Sequence, residues 1–129
     1  MKSPEAGSRA SQRFSPERRV RRRAEFQQVF ERGTRLHSRF FTLLLLPNGR
    51  ATSRLGIVAS RKIGGAVQRN RAKRLIREIF RHLPARQAAI DLVVIPRREL
   101  LDAALPTLEL DFQNGWRRGL DRISGHAGR

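Results

Sequence analysis

Apolar and polar positions recur along this chain with periods that change several times, and each period predicts one kind of element. Near the start, Phe26, Val29 and Phe30 follow the spacing of one helix face. They predict a first helix over about Arg21–Arg32 that ends at Gly33. The simplest interpretation of these three apolar side chains is that they face a hydrophobic core.

Two short apolar runs, Arg39–Leu46 and Arg54–Ser60, predict β-strands. The turn sequence Pro47-Asn48-Gly49 lies between them, so we expect the two strands to pair as a hairpin. A later run, Ile90–Ile95, predicts a buried strand that ends at Pro96.

The most informative segment is an amphipathic helix, which should begin after Gly64-Gly65 and end near Leu83, before Pro84. Successive residues of a helix are rotated by about 100°, which separates this segment into two sides. The apolar side consists of Ala72, Leu75, Ile76, Ile79 and Leu83, and the opposite side of Arg69, Asn70, Lys73, Arg74, Arg77 and Arg81. The helix contains a single acid, Glu78, whereas ordinary solvated helices mix both signs. The basic side is therefore predicted to bind nucleic acid.

The order strand, helix, strand around this segment favours a crossover unit, in which the strand at Ile90–Ile95 runs parallel to another strand. A last helix is predicted from about Thr107 to Arg122. Its apolar side repeats every four residues, at Leu108, Phe112, Trp116 and Leu120. Gly115 and Gly119 should weaken this helix by roughly 1 kcal/mol each unless close packing uses them.

Charge and composition narrow the class of protein. The 129 residues suffice for one domain, and 28 Arg and Lys against 11 Asp and Glu give a net charge of +17, so a polyanion is the expected partner. The absence of cysteine excludes disulfides and thiolate metal sites and is compatible with a cytoplasmic location. The apolar run Phe40–Leu46 is far below membrane-spanning length and no apolar signal-peptide core precedes it, so no membrane partner is expected.

The sequence contains no cluster of reactive groups. Its carboxylates are dispersed, and the closest helical pair, Glu109 and Asp111, point to different faces. His37, His82 and His126 are isolated from one another. We therefore predict a binding protein with no catalytic residue, no metal site and no small-molecule substrate of its own.

The segment GIVASRKIGGAVQRNRAKRLIREIFR resembles the signature of the bacterial ribonuclease P protein component family. In that family a strand ending in a Ser-basic-basic run, here Ser60-Arg61-Lys62, leads through a glycine turn into a helix. The helix opens with Arg-Asn-Arg, here Arg69-Asn70-Arg71. The resemblance continues in AEFQQVFERG (Ala24–Gly33) and DLVVIPR (Asp91–Arg97), and covers about Arg19–Ile123.

The resemblance implies an α+β fold, an α-β-β-β-α-β-α sandwich of the ribosomal protein S5 domain 2 type with a left-handed crossover. The strand that the periodicity does not indicate would lie near Thr34–His37. The domain would occupy residues 20–123, between a largely disordered basic arm at residues 1–19 and a flexible tail at residues 124–129.

The resemblance also implies a function, that of the protein subunit of a ribozyme. The catalytic RNA would remove the 5′ leader of precursor tRNA with the help of Mg²⁺, and both RNAs would be partners of the protein. The basic helix would contact the catalytic RNA. The residues assigned to that contact are Arg61, Lys62, Arg69, Asn70, Arg71, Lys73, Arg74 and Arg77.

The single-stranded leader would lie in a groove between the first helix and the sheet. By resemblance, Phe26 and Phe30 would stack on its unpaired bases instead of serving only as core residues. Many members place an aromatic residue on the following strand where this chain has Leu44, so leader contact there would be apolar. The remaining members of the implied leader-binding set are Arg19, Arg22 and Ser60.

Other classes of protein share parts of this pattern. A ribosome-associated protein or general RNA chaperone would carry the same charge but would not need the Arg-Asn-Arg helix behind that strand. A helix-turn-helix DNA-binding protein would need a partner helix a short turn away. A protein nuclease would need carboxylates that converge on metal ions.

Overall fold

The computed structural model describes residues 19–20, 22–83 and 89–127. In chain order its elements are α1 (Arg23–Arg32), β1 (Thr34–His37), β2 (Phe41–Pro47), β3 (Arg54–Ile57), α2 (Ala66–Arg81), β4 (Ile90–Pro96), a 3₁₀ helix (Arg98–Asp102) and α3 (Leu105–Ala127). The α-β-β-β-α-β-α order is confirmed, including the strand β1 that only the family resemblance implied. Of the predicted basic arm, residues 1–18 lie outside the described residues, as do residues 128–129 of the predicted tail.

The hairpin predicted for β2 and β3 is wrong. The strand order is β1-β2-β4-β3, so β4 lies between them. β4 pairs antiparallel with all seven residues of β2 and parallel with the four residues of β3, which confirms the predicted parallel pairing. The chain does turn at Gly49, where φ is +67°. However, a turn sequence indicates only that the chain changes direction, and it does not specify which strand becomes the neighbour of β2. The apolar strand β4 is mostly buried, and it takes the position between β2 and β3.

The sheet separates two hydrophobic layers. α2 and α3 pack on one face and form the larger core. The side chains that α2 buries there, in agreement with its predicted apolar side, include Ala72, Ile76 and Ile79. α1 packs on the other face through Val29, which forms a smaller cluster with Leu44 and Val93. Because α1 has only 10 residues, it covers only part of this second face.

The last helix packs very closely on the sheet. A Cβ atom at Gly115 would lie 2.9 Å from Leu43 Cδ1, and one at Gly119 would lie 2.8 Å from Leu45 Cδ2. Close packing against the sheet therefore explains why both positions are glycine despite its low helix propensity. α3 extends beyond the predicted range at both ends, and its helical residues include the first part of the predicted tail, up to Ala127.

Candidate nucleic-acid interface

The turn between β3 and α2 exposes the predicted basic run. β3 is shorter than predicted, and Ser60 belongs to this turn, where its carbonyl accepts a hydrogen bond from the N–H of Ile63. Ile63 is buried and anchors the turn in the core, so that Arg61 and Lys62 face solvent. Gly64 has a φ of +141°, a conformation that side chains disfavour.

α2 directs its basic side away from the core. Asn70, Arg71 and Arg74 are exposed, and Arg69 is half-buried at the first turn. The separation into two sides that the periodicity predicts is confirmed. The single acid of the helix forms a 3.0 Å ion pair with Arg81 in the last turn, at the opposite end from Arg69-Asn70-Arg71.

On the other face of the sheet, α1 carries the two aromatic side chains that were assigned to the predicted leader groove. The ring of the half-buried Phe26 lies over β3, and a Cβ atom at Gly56 would be only 2.8 Å from it. Phe30, one turn later, is 39% exposed. Val58 and Ile95 are partly buried and pack with Phe26 against the smaller cluster. The surface predicted for the groove is therefore apolar at Val58 and Ile95 and aromatic at Phe26.

Two of these features were missed by the sequence analysis. Gly56 makes room for the Phe26 ring, and a glycine inside a strand pattern is a signal for such a close approach. Val58 and Ile95 take the place on the floor that was expected for Leu44. Leu44 is 0% exposed because α1 covers β2 at this point. A direct contact between Leu44 and RNA would need an exposed side chain, so we leave it out of the groove.

A buried ionic network links α1 to the sheet, and no local pattern in the chain indicated that these distant residues meet. Arg54 is 7% exposed, and its Nε and Nη2 lie 2.8 and 2.6 Å from the Asp91 carboxylate oxygens. Its Nη1 lies 3.1 Å from Glu25 Oε2 on α1. The other oxygen of Glu25 accepts a hydrogen bond from the N–H of Arg22 at the start of that helix. The hydrogen bond to Asp91, strengthened by that to Glu25, raises the pKa of Arg54 although burial opposes this, so its guanidinium remains charged.

The open edge of β3 brings together residues that were assigned to different RNAs. Arg19 forms an isolated bridge with Leu55 of β3, and the N–H of Val20 donates to the Leu55 carbonyl at 3.0 Å. A cleft of about 140 Å³ opens beside this bridge, and both Lys73 and Arg77 of α2 line it. Arg19, from the predicted leader-binding set, therefore lies beside two residues of the predicted set for catalytic RNA. Arg22 and Ser60 are exposed outside this cleft.

The two acidic residues of the Arg54 network are both engaged. Glu25 and Asp91 both bind Arg54, and among the residues that the structure describes, no group of three or more His, Cys, Asp or Glu could hold a metal ion. No helix in the described part of the chain is long and apolar enough to cross a membrane.

A four-stranded α+β fold with a basic helix on one side and exposed aromatic and apolar side chains beside α1 on the other is typical of a small nucleic-acid-binding protein. The comparisons with known proteins give its family. The family model for ribonuclease P matches residues 14–119. The ribonuclease P protein component of Thermotoga petrophila is 43% identical over 91 residues, which cover 67% of this chain and 75% of that protein. That of Desulfatibacillum aliphaticivorans is 34% identical over 106 residues, which cover 81% and 90%.

The solved structures agree with the sequence comparison. The RNase P protein of Thermotoga maritima superposes with a TM-score of 0.68 at 38% identity, covering 74% of this chain and 92% of the other. The chain therefore belongs to the ribonuclease P protein family. It is the RNA-binding subunit of the ribonuclease P holoenzyme, which removes the 5′ leader of precursor tRNA, and the ribosome-associated alternative is not favoured.

Proposed function

We propose that the basic side of α2 and the turn before it bind the catalytic RNA of ribonuclease P. The observation that carries this proposal is the two-sidedness of α2, which buries Ile76 and Ile79 in the core and exposes Arg71 and Arg74. A helix anchored in this way holds its cations in a fixed array, and the arginine fork matches phosphate oxygens. The proposed contacts are Arg61, Lys62, Arg69, Asn70, Arg71, Lys73, Arg74 and Arg77.

The groove beside α1 is proposed to bind the single-stranded 5′ leader of precursor tRNA. Phe26 and Phe30 would stack on bases, and Val58 and Ile95 would supply the apolar floor. Stacking tolerates different bases, which suits a protein that acts on many leaders. The polar contacts of this site are proposed to come from Arg19, Arg22 and Ser60.

Mg²⁺ is proposed to serve the RNA of the holoenzyme. Mg²⁺ favours several oxygen ligands, often phosphates, whereas Glu25 and Asp91 of this chain already bind Arg54. This chain would act by positioning two RNAs and by neutralising their phosphates with its net charge of +17. Because its proposed ligands are newly made RNAs, we also place the protein in the cytoplasm.

The test of this proposal is a double substitution, Arg69→Ala with Arg71→Ala. Each lost phosphate contact should reduce the dependence of log K on log salt by about 0.7–0.9 and weaken binding to the catalytic RNA. The matched control is Arg98→Ala with Arg117→Ala, which removes the same charge from exposed positions outside the interface. If binding and its salt dependence are unchanged while the Tm of the protein falls, the Arg-Asn-Arg motif is structural and the proposal fails.

A further inference from the structure

The open edge of β3 carries a small cleft, and the charged residues that the structure describes in its lining are all positive. Arg19, which forms the bridge to Leu55, lines the cleft together with Lys73 and Arg77 of α2. The remaining described lining is apolar and includes the Phe26 side chain, with no acidic residue. Cations that converge without an acid repel one another, so this arrangement is unfavourable unless an anion occupies the cleft.

One hydrogen-bond donor of the Arg19 side chain has no acceptor among the described residues. This donor is Nε, which is buried. A buried donor without an acceptor is unfavourable, most of all on a charged group. Partial burial lowers the pKa of Arg77, and the positive charge of Arg19 lowers it further. Both observations indicate that the described residues supply no negatively charged acceptor to the cleft.

We propose that this cleft, between Arg19, Lys73 and Arg77, binds one backbone phosphate of RNA and so joins the leader groove to the basic side of α2. The cleft has a volume of about 140 Å³, whereas one molecule in liquid water occupies roughly 30 Å³. The cleft therefore has room for a phosphate group. Because Phe26 also lines the cleft, a nucleotide stacked on its ring would have its phosphate close by. The inference rests on the proposed function, which identifies the polyanion as RNA.

The first experiment uses inorganic phosphate as the probe and the full chain as the protein. Titration should shift the Arg19 Nε–Hε resonance in ¹⁵N NMR spectra and saturate. Arg77→Gln should abolish this saturation, whereas Arg117→Gln, an equal loss of charge at an exposed position on α3, should preserve it. The Tm of the phosphate-free Arg77→Gln variant should be unchanged or raised, because the substitution removes repulsion. The proposal would be overturned by any one of three results. These are saturation that survives in Arg77→Gln, shifts of similar size at all arginines, and a lower Tm of the Arg77→Gln variant.

The second experiment distinguishes the two possible sources of the phosphate. Holoenzymes with wild-type chain, Arg77→Gln or Arg117→Gln would be titrated with precursor tRNAs whose leaders lengthen by single nucleotides. If the phosphate comes from the leader, wild-type affinity should rise by about tenfold at one leader length, and only Arg77→Gln should lose that step. If it comes from the catalytic RNA, Arg77→Gln should weaken assembly at every leader length more than Arg117→Gln does.

Equal behaviour of the Arg77→Gln and Arg117→Gln holoenzymes in both measurements would overturn the cleft proposal. Such a result would also remove Arg77 from the proposed contacts with the catalytic RNA. The rest of the proposed function would stand as long as the Arg69 and Arg71 substitutions still weaken binding to the catalytic RNA. The two proposals can therefore fail separately.

Discussion

At the scale of single residues, the two aromatic side chains of α1 have different environments. Phe26 packs over Gly56 and belongs to the smaller cluster, so its replacement would also damage packing. Phe30 is 39% exposed and belongs to neither of the two core clusters, so its replacement should disturb packing less. Phe30 is therefore the better position at which to test leader binding.

We predict that Phe30→Ala weakens binding of a leader-bearing precursor tRNA by about 1–3 kcal/mol, the contribution of one base–aromatic stack. Binding of mature tRNA, which lacks the leader, should change little, and Phe30→Tyr should preserve most of the affinity because it keeps the ring. Equilibrium binding of both tRNAs to the reconstituted holoenzyme measures this difference. Equal losses for precursor and mature tRNA would indicate structural damage instead of a lost stack.

At the scale of elements, the position of α1 depends on Arg54, which links it to β3 and β4. We predict that Arg54→Met lowers the free energy of unfolding by about 3–5 kcal/mol, because Asp91 and Glu25 lose their buried cation. Urea denaturation measures the free energy of unfolding. The control is Arg50→Met, because Arg50 lines the same cleft beside α1 as Arg54 but is exposed, and its free energy of unfolding should differ from wild type by no more than about 0.5 kcal/mol. A small effect of Arg54→Met would mean that the apolar contacts of Val29 suffice to hold α1.

The packing of α3 gives a second prediction at this scale. Gly119→Ala should lower the free energy of unfolding by about 1–3 kcal/mol, because the added methyl group would overlap the buried Leu45 and this outweighs the better helix propensity. Gly125→Ala, in the same helix with open space around it, should instead be neutral or stabilising by up to about 1 kcal/mol. Thermal denaturation of the two variants compares them directly. Stabilisation by both substitutions would show that α3 can shift away from the sheet.

At the scale of the whole molecule, the net charge of +17 is the basis for the proposal that this chain positions RNA and that the RNA carries out the chemistry. We predict that purified, RNA-free protein cleaves no precursor tRNA at any Mg²⁺ concentration. The catalytic RNA alone should cleave slowly at high Mg²⁺, and the protein should restore efficient cleavage at low Mg²⁺ by neutralising phosphates. Gel assays of precursor tRNA cleavage measure these differences, with nuclease-treated protein in the presence and absence of added catalytic RNA. Specific cleavage by the RNA-free protein would contradict the assignment.

Local patterns predicted those parts of the fold that depend on neighbours in sequence. The two sides of α2 follow from helical periodicity, because residues three and four apart share a face whatever the tertiary context. The parallel β3–β4 pair followed from the order of elements. β1 has only four residues, too few for a periodic signal, and it was found only through the family resemblance.

Only the tertiary structure decided which distant residues meet. It placed β4 between β2 and β3, because strand order depends on the burial of whole strands and not on the turn that joins two of them. It buried Leu44 under α1 and brought Arg54 to Asp91, 37 positions away. It also placed Arg19 beside Lys73 and Arg77 at the edge of β3. The sequence by itself determined an amphipathic helix with one basic side and predicted that this side binds nucleic acid, since charge and periodicity are local properties. The proposed groove and cleft depend on long-range packing, which no local pattern encodes.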